Sequence, residues 1–155
     1  MQTAELKKVF NQKITEHIFQ YMFRESGKYT VIPIGYEATV EELEPYKRHA
    51  YVRKVLNNLK AAPDFVLISK DKTDVIVVEV EYIAKPEPQD IGDMVHTVLR
   101  RWDPSYVFIA TQTGFYFDSC NSVKAENGHI KLLSEHWVKM EAQHKYLELL
   151  HYYVK

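Results

Sequence analysis

Cysteine is almost missing: Cys120 is the only one in 155 residues, so no internal disulfide forms and no thiolate cluster exists to hold zinc. Glycine is scarce, at five, and none of the five sits in a phosphate-cradling loop or a dinucleotide fingerprint. The seven histidines never take a zinc spacing such as His-Glu-x-x-His, and no Ser-His-Asp set is visible. No apolar run approaches the length of a membrane span, and the opening stretch MQTAELKKVFNQK has no apolar signal core. A soluble chain with no membrane partner, in a reducing cytoplasmic setting, is the expectation. Neither sign of charge dominates, with 20 Lys and Arg against 21 Asp and Glu. Affinity for nucleic acid would therefore have to come from a local basic patch.

What is present is enough apolar material, 46 % of residues, to fill the core of one domain spanning 1–155. Its centre is PDFVLISKDKTDVIVVEVEY, from Pro63 to Tyr82. Two β-branched runs, Asp64 to Ser69 and Val75 to Ile83, flank the polar break at 70–73 and read as strand, turn, strand. If the turn closes at Asp71-Lys72, facing residue numbers sum to a constant. Ser69 then faces Asp74, Val66 faces Val77, and Asp64 faces Glu79. Side chains alternate along a strand, so Glu81 shares the face of Glu79. Opposed carboxylates about 5 Å apart repel, and two arrangements relieve them: a divalent cation between them, or emergence into solvent. An all-oxygen donor set without His or Cys selects Mg²⁺ or Mn²⁺.

Around this hairpin the chain alternates helices and strands. Residues 3–25 place Leu6, Phe10, Ile14, Ile18, Tyr21 and Met22 at helical spacing, widened by Phe19 and Phe23, which predicts a well-buried helix. Ser26-Gly27 ends it, and Tyr29 to Tyr36 follows as a strand placed at an edge by Pro33. The Thr39-x-x-Glu42 spacing resembles a capping box ahead of a helix running to about Lys60, with Pro45 clouding its start. That helix carries Lys47, Arg48, His49, Arg53 and Lys54, with Tyr46 and Tyr51 interleaved. Such a stretch is either a solvated face or a contact for a phosphate backbone, and Arg100 and Arg101 are further candidates for that contact. Residues 89–102 form the cleanest helical pattern, and the continuous apolar run Tyr106 to Ala110 reads as a strand covered on both faces. Strand, helix, strand in this order implies a parallel pair, with Val107 and Ile109 beside the acidic strand. Beyond about Gln112 a second hairpin is expected, Phe115 to Phe117 against His129 to Leu133, then a final helix from about His136 to Val154 with Met140, His144, Leu147, Leu150 and Val154 on one side. Its aromatic end, Tyr152-Tyr153, makes a homodimer a further expectation.

The strand opening with Pro63-Asp64, the short polar turn, and the second strand ending in Glu79-Val80-Glu81 resemble the core hairpin of the PD-(D/E)xK nuclease superfamily. The likeness implies an α/β mixed-sheet, restriction-endonuclease-like core, α-β-(α)-β-β-α-β, over about 3–112, with a hairpin and helix appended over 113–155. It implies a phosphodiester hydrolase acting on DNA rather than RNA, with Asp64 and Glu79 bridging Mg²⁺ or Mn²⁺ and the main-chain carbonyl of Val80 as a further ligand. A first-helix acid sometimes joins such sites, which makes Glu16 an accessory candidate beside its reading as a solvated helix glutamate. Glu81 stands where the family has lysine, as a glutamate does in some type II restriction enzymes. There it would accept a proton from the attacking water or hold a second metal, given positive charge from elsewhere. Lys85 is a candidate source, though Pro86 turns the chain beside it. The alternative is a nuclease-fold protein without catalysis that binds nucleic acid or another protein.

Overall fold

The computed structural model describes residues 1–154, the side chains of 37 and 38 apart. The first helix, α1 (Thr3–Ser26), starts with the Gln2 main-chain N–H donating to the Glu5 carboxylate at 3.0 Å. It stops where Gly27 turns left-handed at φ 72°, a conformation that glycine adopts without steric cost. The buried stripe expected is confined to its C-terminal half, where Ile18, Phe19, Met22 and Phe23 are in the core and Tyr21 is exposed, while Leu6 and Phe10 in the N-terminal half are exposed too. The reason is positional. The first two turns of α1 run past the apolar part of the sheet and overhang a polar cleft.

After α1 come β1 (Tyr29–Pro33), α2 (Glu37–Leu43), a 3₁₀ turn (Glu44–Tyr46) and α3 (Ala50–Lys60). The helix expected from Thr39 to Lys60 is therefore two helices, separated by the 3₁₀ turn that Pro45 opens. Thr39 lies inside α2, whose N-cap is Tyr36, so the Thr-x-x-Glu spacing caps nothing. Then follow β2 (Phe65–Ser69), β3 (Val75–Tyr82), α4 (Pro88–Leu99), β4 (Tyr106–Ala110), β5 (Phe115–Ser119), α5 (Cys120–Ala125) and α6 (Met140–Tyr153).

The strands form one five-stranded mixed sheet in the order β1-β2-β3-β4-β5. The hairpin register is the expected one, Phe65 opposite Val78 and Val66 opposite Val77, and Ser69 donates to the Asp74 carbonyl at 3.0 Å. β1 is an edge strand, as Pro33 requires. β3 and β4 are parallel, with Glu79 beside Val107 and Glu81 beside Ile109. Alternation then splits the side chains between two faces. Val78, Val80, Phe108 and Ala110 pack against α1 and α6. Val107 and Ile109 pack against α4 and α5 through Ile91, Val95, Cys120 and Val123. The first face centres on Phe19, whose ring lies 4.4 Å from Phe23, 4.9 Å from Phe65 and 5.0 Å from Phe108. Each of these buried rings contributes roughly 2 kcal/mol of hydrophobic free energy.

The C-terminal third departs from expectation. β5 hydrogen-bonds along its whole length to β4 and so continues the central sheet. The polar loop expected after it is the short helix α5, and the expected pairing with 129–133 survives as the single bridge Tyr116 to Leu132. Phe115, Phe117, Leu133, Val138 and Leu150 all join the α1-side core, so this region completes that core instead of hanging from it. α6 starts four residues later than expected and buries Gln143 and Leu150, leaving Met140 and His144 exposed. The Gln143 amide donates to the carbonyls of Leu133 (3.1 Å) and Val138 (2.9 Å), so the loop before α6 is tied to the helix itself. Among the described residues no helix is long and apolar enough to cross a membrane.

Gly128 supplies a test of this packing. It sits at φ 90°, and a Cβ there would lie 1.9 Å from the Pro88 carbonyl oxygen at the start of α4. Gly128→Ala is expected to cost more than about 2 kcal/mol in chemical denaturation, against less than about 0.5 kcal/mol for Gly114→Ala, whose Cβ meets nothing.

Candidate functional site

β3 outruns its antiparallel partner. Pairing with β2 covers Val75 to Val78, while β3 continues to Tyr82, so the backbone groups of Val80 and Tyr82 on that edge face no strand. Two side chains take their place. The Asp64 carboxylate accepts the Val80 N–H at 2.7 Å, and the Gln12 amide donates to the Val80 carbonyl at 2.6 Å and accepts the Tyr82 N–H at 3.3 Å. Asp64 is itself held on both sides, its N–H on the Val78 carbonyl (3.1 Å) and its carbonyl on the Ile34 N–H (2.9 Å). An edge of a sheet has been finished by one acid and one amide.

The overhanging part of α1 and this edge enclose a cleft of about 710 Å³, lined by Asp64, Glu79, Glu81 and Glu16 together with Lys7, Lys8, Gln12 and Lys13. The acids expected from the hairpin, and the accessory Glu16, therefore share one cleft. Their proximity shows in their protonation. Burial first, then the charges of Asp64, Glu81 and Glu16, pushes the Glu79 carboxyl far above the usual carboxylate range. Burial also pushes Glu81 up; the positive charge of Lys8 opposes this, and Glu16 adds to it. Glu16 accepts from Lys13 at 3.2 Å and from Gln12 at 3.3 Å. The donors are hard oxygens, which in kind suit Mg²⁺ or Mn²⁺. Among the described residues, however, no three His, Cys, Asp or Glu side chains converge as a ready ligand set. The lysines of α1 offset part of the repulsion in the cluster, Lys13 by its bond to Glu16 and Lys8 by its charge near Glu81, and the raised Glu79 carboxyl favours its neutral form.

The other expected residues lie elsewhere. The Val80 carbonyl is at the cleft edge, where it already accepts from Gln12. Lys85 is exposed in the segment after β3 and does not line the cleft, because the strand ends at Tyr82 and the chain turns away. Lys47 pairs with Glu44 at 3.1 Å, and Arg48, Arg53 and Lys54 are exposed on or just before α3. Arg100 stands 3.4 Å from His96. Arg101 donates to Asn58 at 3.0 Å and Trp102 to the Ala61 carbonyl at 2.6 Å, which joins the end of α4 to the end of α3. None of these six basic residues lines the acidic cleft. A smaller hollow of about 300 Å³, between α2 and the end of α3, meets the cleft at Asp64.

The cleft residues not expected from the sequence include Lys7, Lys8, Gln12 and Lys13. A signal was available: Lys8, Gln12 and Glu16 recur at i, i+4 and form a continuous polar row along one side of the helix. No protein-family model and no curated protein matches this chain. The chemistry of the cleft thus rests on its own residues.

The raised Glu79 carboxyl has a consequence for stability. A carboxyl raised in the folded state binds its proton more tightly there than in the unfolded chain, so its contribution is fully present below the ordinary value of 4.5 and is lost as pH rises toward the raised value. Glu79→Gln, which keeps the shape and removes the charge, is expected to be more stable than wild type by at least about 1 kcal/mol near pH 8, with the gap closing toward about pH 5. Denaturant midpoints at the two pH values check this, and a gap independent of pH would count against it.

Proposed function

We propose that the cleft is the active site of a divalent-metal-dependent nuclease of restriction-endonuclease-like fold, hydrolysing phosphodiester bonds in DNA. The observation that supports this reading most is the hairpin register, which sets Asp64 against the Val80 main chain and brings Glu79 and Glu81 into the same cleft. Asp64, Glu79 and the Val80 carbonyl would hold Mg²⁺ or Mn²⁺. When bound, such an ion lowers the pKa of a water and offsets charge on the phosphoryl oxygens. Glu81 would accept a proton from the attacking water. Glu16 steadies the α1 wall through its bonds with Lys13 and Gln12.

Cleavage of supercoiled or linear DNA in Mg²⁺ or Mn²⁺ is the expected activity, abolished by Asp64→Ala and by Glu79→Ala. Failure of the wild type to cut linear, supercoiled, branched and single-stranded substrates would remove the reading.

A second reading is a protein of the same fold that binds nucleic acid without cutting it. It is favoured by the Gln12 amide sitting on the Val80 carbonyl and by the lack, among the described residues, of a converged ligand set. On this reading the exposed Arg48, Arg53 and Lys54 carry phosphate contacts. Reversing the charge of Arg48 and Lys54 together is then expected to weaken DNA binding and flatten its dependence on salt, measured by fluorescence anisotropy.

A further inference from the structure

A cleft walled by Asp64, Glu79, Glu81 and Glu16 repels a phosphodiester unless a cation faces the same space. The acidic strand supplies none, since its C-terminal end reads Glu-Val-Glu-Tyr, and Lys85 lies outside the cleft. The cations come from α1, and the Gln12 anchor decides which of them matters. With its amide bonded to Val80 and Tyr82, Gln12 sets the register of α1 along β3. Residues four apart stack on one helix face about 6 Å apart along the axis, so Lys8 and Glu16 lie one turn to either side of that anchor. Glu16 is bonded to Gln12 and ion-paired with Lys13 at 3.2 Å, which engages Lys13 at the inner end of the row. Lys7 also lines the cleft but is turned about 100° around the helix from Lys8, off the row that Gln12 anchors. Lys8 is left at the outer end of the row, lining the same cleft as Glu81.

We propose that Lys8, registered over the end of β3 by Gln12, is the cation of the cleft that faces a non-bridging phosphate oxygen and offsets the charge that develops there in the transition state. This rests on the nuclease reading and adds to it a residue on a different element from the acids. An ammonium so placed stabilises the extra charge of the transition state more than that of the bound substrate, so its loss falls mainly on kcat.

The test compares wild type, Lys8→Ala, Lys8→Arg and Asp64→Ala in Mn²⁺-dependent DNA cleavage and in calorimetric titration with Mn²⁺ alone. Lys8 is exposed, so its variants are expected to keep the wild-type denaturation midpoint. Lys8→Ala should lose roughly 100-fold in kcat with little change in KM, and Lys8→Arg should recover most of it. Lys8→Ala should also bind Mn²⁺ more tightly than wild type, because a cation has left the cleft. A Lys8→Ala protein that cuts at the wild-type rate while Asp64→Ala is dead overturns the role of Lys8 and leaves the nuclease reading standing. If the wild type cuts nothing, the nuclease reading fails and the titration judges Lys8 separately. Tighter Mn²⁺ binding by Lys8→Ala then supports its charge acting in the cleft, and equal binding, or none in either protein, overturns it.

Discussion

The open edge at the end of β3 is the constraint from which the cleft follows. Backbone N–H and C=O groups in a partly buried strand need partners, and leaving one without costs about 1–3 kcal/mol. β2 is too short to supply them beyond Val78. Asp64 satisfies one group and Gln12 two, so the same hydrogen bonds that finish the sheet also dock α1 and immobilise the first acid of the hairpin. Strand completion and site assembly are one event here.

The cleft is electrostatically unfavourable, and the rest of the molecule compensates. Burial, and then the three other carboxylates around the same space, push the Glu79 carboxyl far above its ordinary range, a perturbation of the kind concentrated at functional sites. On the α1 side of the sheet, the aromatic cluster around Phe19 is free of charge and fully buried. α1 belongs to both regions: its C-terminal half is anchored in that cluster, and its N-terminal half forms the basic wall of the cleft. The length of α1, 24 residues, lets one helix do both.

β4, β5 and α5 back the acidic strand from the other side. β4 runs parallel to β3 with Val107 and Ile109 beside the two glutamates, and both are fully buried against Ile91, Val95, Cys120 and Val123. That apolar flank offers the two glutamates no hydrogen-bond partner and adds to the burial that raises them. Gly128 allows α5 and α4 to approach this closely, through its contact with the Pro88 carbonyl.

The residue pattern was enough for the hairpin, because alternation and a short polar turn over 70–73 leave a single pairing for Val66, Val77 and their neighbours. It was enough for the edge position of β1, since Pro33 lacks a donor, and for the parallel pair, since a helix separates β3 from β4. The gathering of Asp64, Glu79 and Glu81 follows from the same register. The partner of β5, the break at Pro45 within the expected second helix, and the exposure of Leu6 and Phe10 were not readable, since periodicity reports that a face is apolar without saying what covers it. The same limit hid Lys8 and Gln12. Their i, i+4 row was present in the chain, but only the docking of α1 across an unfinished strand, between residues nearly seventy positions apart, turned a polar helix face into the wall of a cleft.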